Sequence, residues 1–340
     1  MIRSRHLFLI LAVLCAAHDA HADDFYAGKT LTLSTHTGVG GGYDSLIRLI
    51  ARFMNKHIAG QPQIIVVNMP GAGGLTAFNY LARIAPRDGT YLSLIGQGLM
   101  IYEPTGQSGL QESLGALSWI GNVSQSANVT AVWYTSPTHT LADARAHEVV
   151  LGSTGVSSPD AQIPTVYNAI LGTHFKLVYG YEGGGTLNLA MERGEIEGRG
   201  TNTWPSYKAT WPEAVRLHQL IPLIQIGLKK DPDLMDVPLF LDVVRGDSLR
   251  EPVAQFLSLA TALSRPLAGP PLMPTQRLAL LRHAFDDLML DDAFLAEAQR
   301  QHIDIDPMGG DEVQKSVAQI LATPSAVIDH TKAALAGHPL

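Results

Sequence analysis

The chain has 340 residues, 46% of them hydrophobic and 16% charged, with 24 basic against 31 acidic side chains. That acidic balance, with no basic cluster, argues against nucleic acid and anionic membrane surfaces as partners. Cys15 is the only cysteine and falls in a segment that reads as a cleaved leader, so disulfides, thiol nucleophiles and cysteine metal sites are all excluded from the remainder.

Arg3 and Arg5 precede an apolar run over 7–17, and Ala20-His21-Ala22 offers a small-x-small cleavage site. This is the pattern of a secretory signal peptide, with the mature chain starting at Asp23. The run is too short to span a bilayer. Leu14 stands before Cys15 where a lipoprotein would carry a small residue. Losing Arg3, Arg5 and Asp19 leaves 22 basic and 30 acidic residues, net −8. Export without cysteines fits a bacterial periplasm, and a domain of this size can bury enough core without disulfides. About 318 residues is long for a single core, so two domains are expected. Their expected bounds are 23–125 with 254–340, and 126–253.

Strand and helix patterns alternate from the start. Thr-Leu-Thr-Leu-Ser-Thr over 30–35 reads as a strand. After Gly38-Val39-Gly40-Gly41-Gly42, a helix over 43–57 places Leu46, Ile50, Phe53 and Met54 on one face and Arg48, Arg52 and Lys56 on another. A continuous apolar run over 63–67 fits a buried parallel strand. Pro70-Gly71-Ala72-Gly73-Gly74 then opens a helix over 75–84, stopped by Pro86 and the Asp88-Gly89 turn. A strand over 91–95 ends at Gly96-Gln97-Gly98. This order implies a parallel sheet with ligand loops at the carboxyl ends of its strands. The pattern restarts with strands over 129–134 and 147–151, Gly152-Ser153-Thr154-Gly155 and a helix over 161–171. A strand over 176–179, Tyr181-Glu182-Gly183-Gly184-Gly185, a helix over 186–193 and a strand over 220–226 follow. The apolar stretch 253–263 is expected to run back to the first domain, with helices over 275–289, 291–301 and 310–322 completing the chain. Two such units facing each other form a cleft, a common place for a ligand.

A glycine loop opening a helix leaves backbone N–H groups bare, and the helix dipole adds positive potential there. Anion binding is the favoured chemistry. Two such loops on neighbouring strands suggest a site built from backbone rather than charged side chains. The mature histidines show no H-x2-H, H-x3-H or HExxH spacing, so no metal is expected; no cofactor is expected either.

Thr37-Gly-Val-Gly-Gly-Gly-Tyr-Asp44, Asn68-Met-Pro-Gly-Ala-Gly-Gly74 and Ala85-Pro-Arg-Asp-Gly-Thr90 resemble the N-terminal signature of the Bug-type receptors. These are the extracytoplasmic solute-binding proteins of tripartite tricarboxylate transporters. Gly152-Ser-Thr-Gly-Val-Ser-Ser158 and Tyr181-Glu-Gly-Gly-Gly185 resemble the family's second-domain loops, and 229–238 its basic-x-Pro-x-Leu-x-Asp-Val-Pro stretch. The ordered set covers nearly the whole mature chain. The resemblance implies an α/β fold of two Rossmann-like domains around a cleft, the type II periplasmic binding protein architecture. It implies a monomeric receptor that closes by a hinge, Venus-flytrap fashion, over a small organic carboxylate. Large and small membrane permease subunits would be its partners. Backbone amides, hydroxyls and ordered water would hold the ligand.

The candidate ligand residues are Thr37, Gly40, Gly41, Gly42, Tyr43 and Asp44 in the first loop, Gly71, Ala72 and Gly73 in the second, and Gln97 in the third. From the second domain come Ser153, Thr154, Ser157, Ser158, Tyr181, Gly184, Arg199, Asn202 and Trp204. Asp44 could instead serve the helix dipole and Arg48. Arg199 could be the one cation of an otherwise uncharged pocket or a solvated surface side chain. The chain departs from the family at Ala161, where a histidine is usual, and at Gly198–Trp204, which replaces Phe-Asp-Asn. Both departures fall where ligand identity is set, so the resemblance leaves dicarboxylates, tricarboxylates and aromatic acids open.

Enzyme readings find little support. A dinucleotide fingerprint would need glycine at Tyr43 and an acid where the second strand ends in Val67-Asn68. Gly28-Lys29-Thr30 precedes a strand and lacks the upstream glycine of a phosphate loop, Asp23 standing there. Gly106-Gln107-Ser108-Gly109 is not a nucleophile elbow. The alternatives kept are a ligand-sensing subunit for a membrane kinase and, behind it, a periplasmic hydrolase without a signature.

Overall fold

Residues 25–340 are described by the structure, a computed structural model. The expected leader, with Cys15 and the expected cleavage site, lies outside the described residues. Eleven strands form two sheets: β1 Thr30–Thr35, β2 Gln63–Asn68, β3 Tyr91–Leu94, β4 Ser118–Asn122, β5 Asn128–Trp133, β6 Glu148–Ser153, β7 His174–Tyr179, β8 Gly198–Thr203, β9 Leu220–Ile226, β10 Pro266–Gly269 and β11 Met308–Gly309. The first sheet runs β11-β4-β10-β3-β1-β2 and the second β7-β6-β8-β5-β9. The expected α/β architecture is therefore present.

Within each sheet the expected parallel pairing holds only in part. β1 lies parallel between β2 and β3, and β6 parallel between β7 and β8. β10 and β4, however, extend the first sheet antiparallel, and β5 pairs antiparallel with β8 and β9. The chain passes from β4 into β5, and from β9 back to β10, so each sheet receives strands from a crossing rather than from a βαβ step. The stretch at 253–263 makes its return as the helix Arg250–Ala262.

Local chemistry explains the elements that carry the cleft. Leu31 and Leu33 alternate into the core from β1. The helix Gly42–Phe53 buries Leu46, Ile47, Leu49 and Ile50, with Asp44 in its first turn and Arg52 in its last, as the dipole favours. The helix Pro159–Leu171 starts with Ser158 capping Asp160 N–H and Pro159 in its first turn, and stops at Gly172 in the left-handed region at φ 68°. The carboxyl ends of β1, β3, β6 and β8 thus meet across the cleft with two glycine-rich helix starts.

Candidate functional site

The loops of the two sheets touch. Gly38 N–H donates to the Glu182 carbonyl at 2.8 Å, and the Ser157 hydroxyl donates to the Ala72 carbonyl. A Cβ on Gly41 would stand 3.1 Å from the Gly184 nitrogen. Behind these contacts lies a cavity of about 50 Å³, bordered among others by Thr37, Gly41, Gly42, Tyr43, Gln97 and Thr154.

Ser158, Gly184, Arg199 and Asn202, also expected at the site, line it too. The remaining candidates do not. Gly40 donates its N–H to Asp44 Oδ2 at 3.0 Å. Asp44 also accepts from Arg48 Nε at 2.9 Å and Asn68 Nδ2 at 2.8 Å, so its role is to shape the loop. Gly71 packs against Thr76 of the following helix, whereas Ala72 and Gly73 pack toward Ser157 and Ser158 from the opposite side of the seam: the Ala72 carbonyl takes the Ser157 hydroxyl, and a Cβ on Gly73 would lie 2.6 Å from Ser158 N. Ser153 turns its hydroxyl to Gly155, accepting its N–H at 3.2 Å. Tyr181 covers Gly152, and Trp204 packs with Tyr207 in the second sheet's core.

The expectation of an uncharged, backbone-built pocket is overturned. Arg199, on the central strand β8, has a side chain only 12% exposed, and Arg265, between the helix Arg250–Ala262 and β10, is 8% exposed. Asp160, in the first turn of its helix, is buried against Arg199. His36, Asn128, Pro159, Gly183 and Thr201 complete the lining. None of these except Gly183 lies in a glycine-loop motif, and Arg265 reaches the site only because the chain crosses back there.

Arg265 is fixed from behind. Its Nη1 donates to the Ser264 carbonyl at 2.8 Å, its backbone N–H to Asn122 Oδ1 at 2.9 Å, and its guanidinium lies 4.2 Å over the Tyr43 ring. Tyr43 in turn donates to the Ser264 carbonyl at 2.8 Å. A cation over an aromatic face is stabilised by the ring quadrupole. Burial lowers the Arg265 pKa, Tyr43 opposes that, and the charge of Arg199 adds to it. Arg199 Nε stands 3.7 Å from Asp160 Oδ1 and makes no hydrogen bond. Asp160 Oδ1 accepts from the Thr201 hydroxyl at 3.1 Å. Burial holds its pKa above the usual carboxylate value against the opposing pull of Arg199, Thr201 and Ser158.

His36 Nδ1 lies 3.4 Å from the Leu94 carbonyl. A carbonyl only accepts, so that nitrogen carries the proton in this contact. Burial first, against that hydrogen bond, lowers the His36 pKa to about 4, leaving the ring neutral at ordinary pH. The Thr37 hydroxyl and Asn202 Nδ2 are also buried without a protein partner. Two guanidiniums and unpartnered donors around one small cavity suit an oxyanion, since leaving such groups unmatched is costly. Among the described residues no cluster of histidine and acidic side chains could hold a metal, and no helix is long and apolar enough to cross a membrane.

No family model matches the chain. It is similar to a curated protein of Agrobacterium vitis described as "UPF0065 protein in the TAR-I ttuE-ttuC' intergenic region", 25% identical over 315 residues, covering 87% of this chain and 89% of that one. Among solved structures it resembles the periplasmic binding protein BugD, with TM-score 0.70, 15% identity and coverage of 89% and 96%. A Rhodopseudomonas palustris protein, MatC with bound malate, gives TM-score 0.69 at 18% identity and coverage of 90% and 99%. A second R. palustris protein, solved with adipate, gives 0.70 at 18% identity and coverage of 89% and 97%. BugD is named a periplasmic binding protein, and the fold of this chain is that of BugD and MatC.

Proposed function

We propose that this chain, sharing the Bug/TctC-type fold, is a periplasmic solute-binding protein that captures a small carboxylate by hinge closure. It would deliver the ligand to the membrane subunits of a tripartite tricarboxylate-type transporter. The moving lobes would be 23–125 with 254–340, and 126–253. The observation that carries this reading is the cavity at the seam, where Arg265 comes from the first sheet's side and Arg199 from the second's. A carboxylate between them gains charge-assisted hydrogen bonds that neither lobe offers alone. The Thr37 hydroxyl and Asn202 amide would orient its remaining oxygens. Closure over a ligand between two α/β lobes is an established mode of domain motion. The malate and adipate in the similar structures support the ligand class.

A thermal-shift panel on the mature protein tests it, with mono-, di- and tricarboxylates, aromatic acids, neutral sugars and amines. A ligand at a hundredfold excess over its Kd stabilises by about 2.7 kcal/mol, which is readily seen. Stabilisation confined to acids is expected. Stabilisation by sugars or amines alone would overturn the reading.

A further inference from the structure

The buried charges at the seam do not cancel. Arg199, Arg265 and Asp160 all border the cavity; among the described residues Arg265 makes no ion pair, and the carboxylate whose charge reaches it, Asp304, lines the adjoining pocket and not this cavity. Asp160 is faced from every side by groups whose charge is fixed near neutral pH. Arg199 and the Thr201 hydroxyl face it from β8. Tyr207, from the helix Trp204–Thr210, and Tyr43, from the helix Gly42–Phe53, feel its charge and are themselves held neutral by burial. His36, across the cavity, is neutral above about pH 4. The two guanidiniums stay protonated. Asp160 is thus the one group among these whose charge is set by a balance, with burial raising its pKa and Arg199, Thr201 and Ser158 lowering it.

Counting charges then couples the ligand to a proton. With Asp160 ionised the three side chains sum to one positive charge, which a monoanion matches. A dianion would leave a net negative charge among buried side chains, where unmatched charge is costly. A proton on Asp160 restores the balance. Resting on the carboxylate reading above, we propose that Asp160 is a specificity-determining residue: the site takes a monoanion without proton exchange and a dianion only together with one proton, which goes to an Asp160 carboxylate oxygen.

Isothermal titration in two buffers of different ionisation enthalpy reads the proton count directly, using malate as dianion and lactate as monoanion. Between about pH 6.5 and pH 8.5 one proton per malate and none per lactate is expected, with malate Kd rising about tenfold per pH unit. In Asp160→Asn, malate binding becomes independent of pH and at least tenfold tighter than wild type near pH 8. The wild-type titration keeps the test intact if that variant fails to fold. Malate binding without proton uptake, or an unchanged malate-to-lactate ratio in Asp160→Asn, overturns the proposal while leaving the carboxylate reading in place. Failure of every acid to bind overturns both.

Discussion

Asp44 serves the cleft from outside it. The residue is 3% exposed, and its oxygens take the Gly40 N–H, Arg48 Nε and Asn68 Nδ2. Burial alone would raise its pKa, but the hydrogen bonds from Arg48, Asn68 and Gly40 outweigh that and hold it below the usual value. A depressed folded value means that its stabilisation is present above the unfolded value, about 3.9, and is lost as pH falls through the lower folded one. Asp44→Ala should cost about 2 kcal/mol in urea unfolding near pH 7, because buried donors lose their acceptor. The loss should shrink toward about pH 3; an equal loss at both would mean that the carboxylate charge is not what matters. Gly41 acts at the contact itself, where a Cβ would already stand 3.1 Å from Gly184 N. Gly41→Val should weaken ligand binding at least tenfold, since the added side chain wedges the two loops apart, while the melting temperature stays within a few degrees because the contact lies at the seam and in neither sheet's core. Unchanged affinity would remove this loop from the site.

Among the elements, the helix Asp292–Arg300 is capped by one side chain. Asp291 accepts from Ala293 N–H at 2.8 Å and Phe294 N–H at 3.2 Å, and also binds Lys56 and His57 beside the first helix. Asp291→Ala should cost about 1–2 kcal/mol by denaturant unfolding, the range for a lost helix cap; a loss below a few tenths would show the ion pairs and cap to be idle. This helix, like β1 and β9, was readable from the sequence because its periodicity and cap lie within one short window. β4 and β10 were not. Ser118–Asn122 is buried along its whole length and so shows no alternation, and Pro266–Gly269 is four residues starting at proline. Both are strands only through antiparallel partners far away in the chain. The site divides the same way. Its glycine loops announce themselves locally, whereas Arg265 becomes a cavity-lining residue only where the returning chain sets it over Tyr43. Asp160 carries no signal in the sequence, standing just before the helix expected over 161–171, until β8 brings Arg199 to 3.7 Å. Trp204 follows Asn202 closely enough to suggest a shared face, yet the turn into its helix sends the ring to the core.

The molecule as a whole carries a charge opposite to that of the guanidiniums in its cavity. Taken from Asp23 onward the chain is at net −8, while the positive groups of the cavity are buried between the sheets. An approaching anion meets the long-range field first, and the guanidiniums only once inside the cleft. The range of that field is about 30 Å at 0.01 M salt and about 8 Å at 0.15 M. Association of a carboxylate should therefore accelerate as salt is raised over that interval, opposite to steered encounters, which slow steeply. Dissociation, set by buried contacts that salt screens little, should change less. Stopped-flow tryptophan fluorescence across a salt series separates the two rates. An association rate that falls with salt would show instead that Arg199 and Arg265 project their field out of an open cleft, and would make the arginine pair a steering device as well as a clamp.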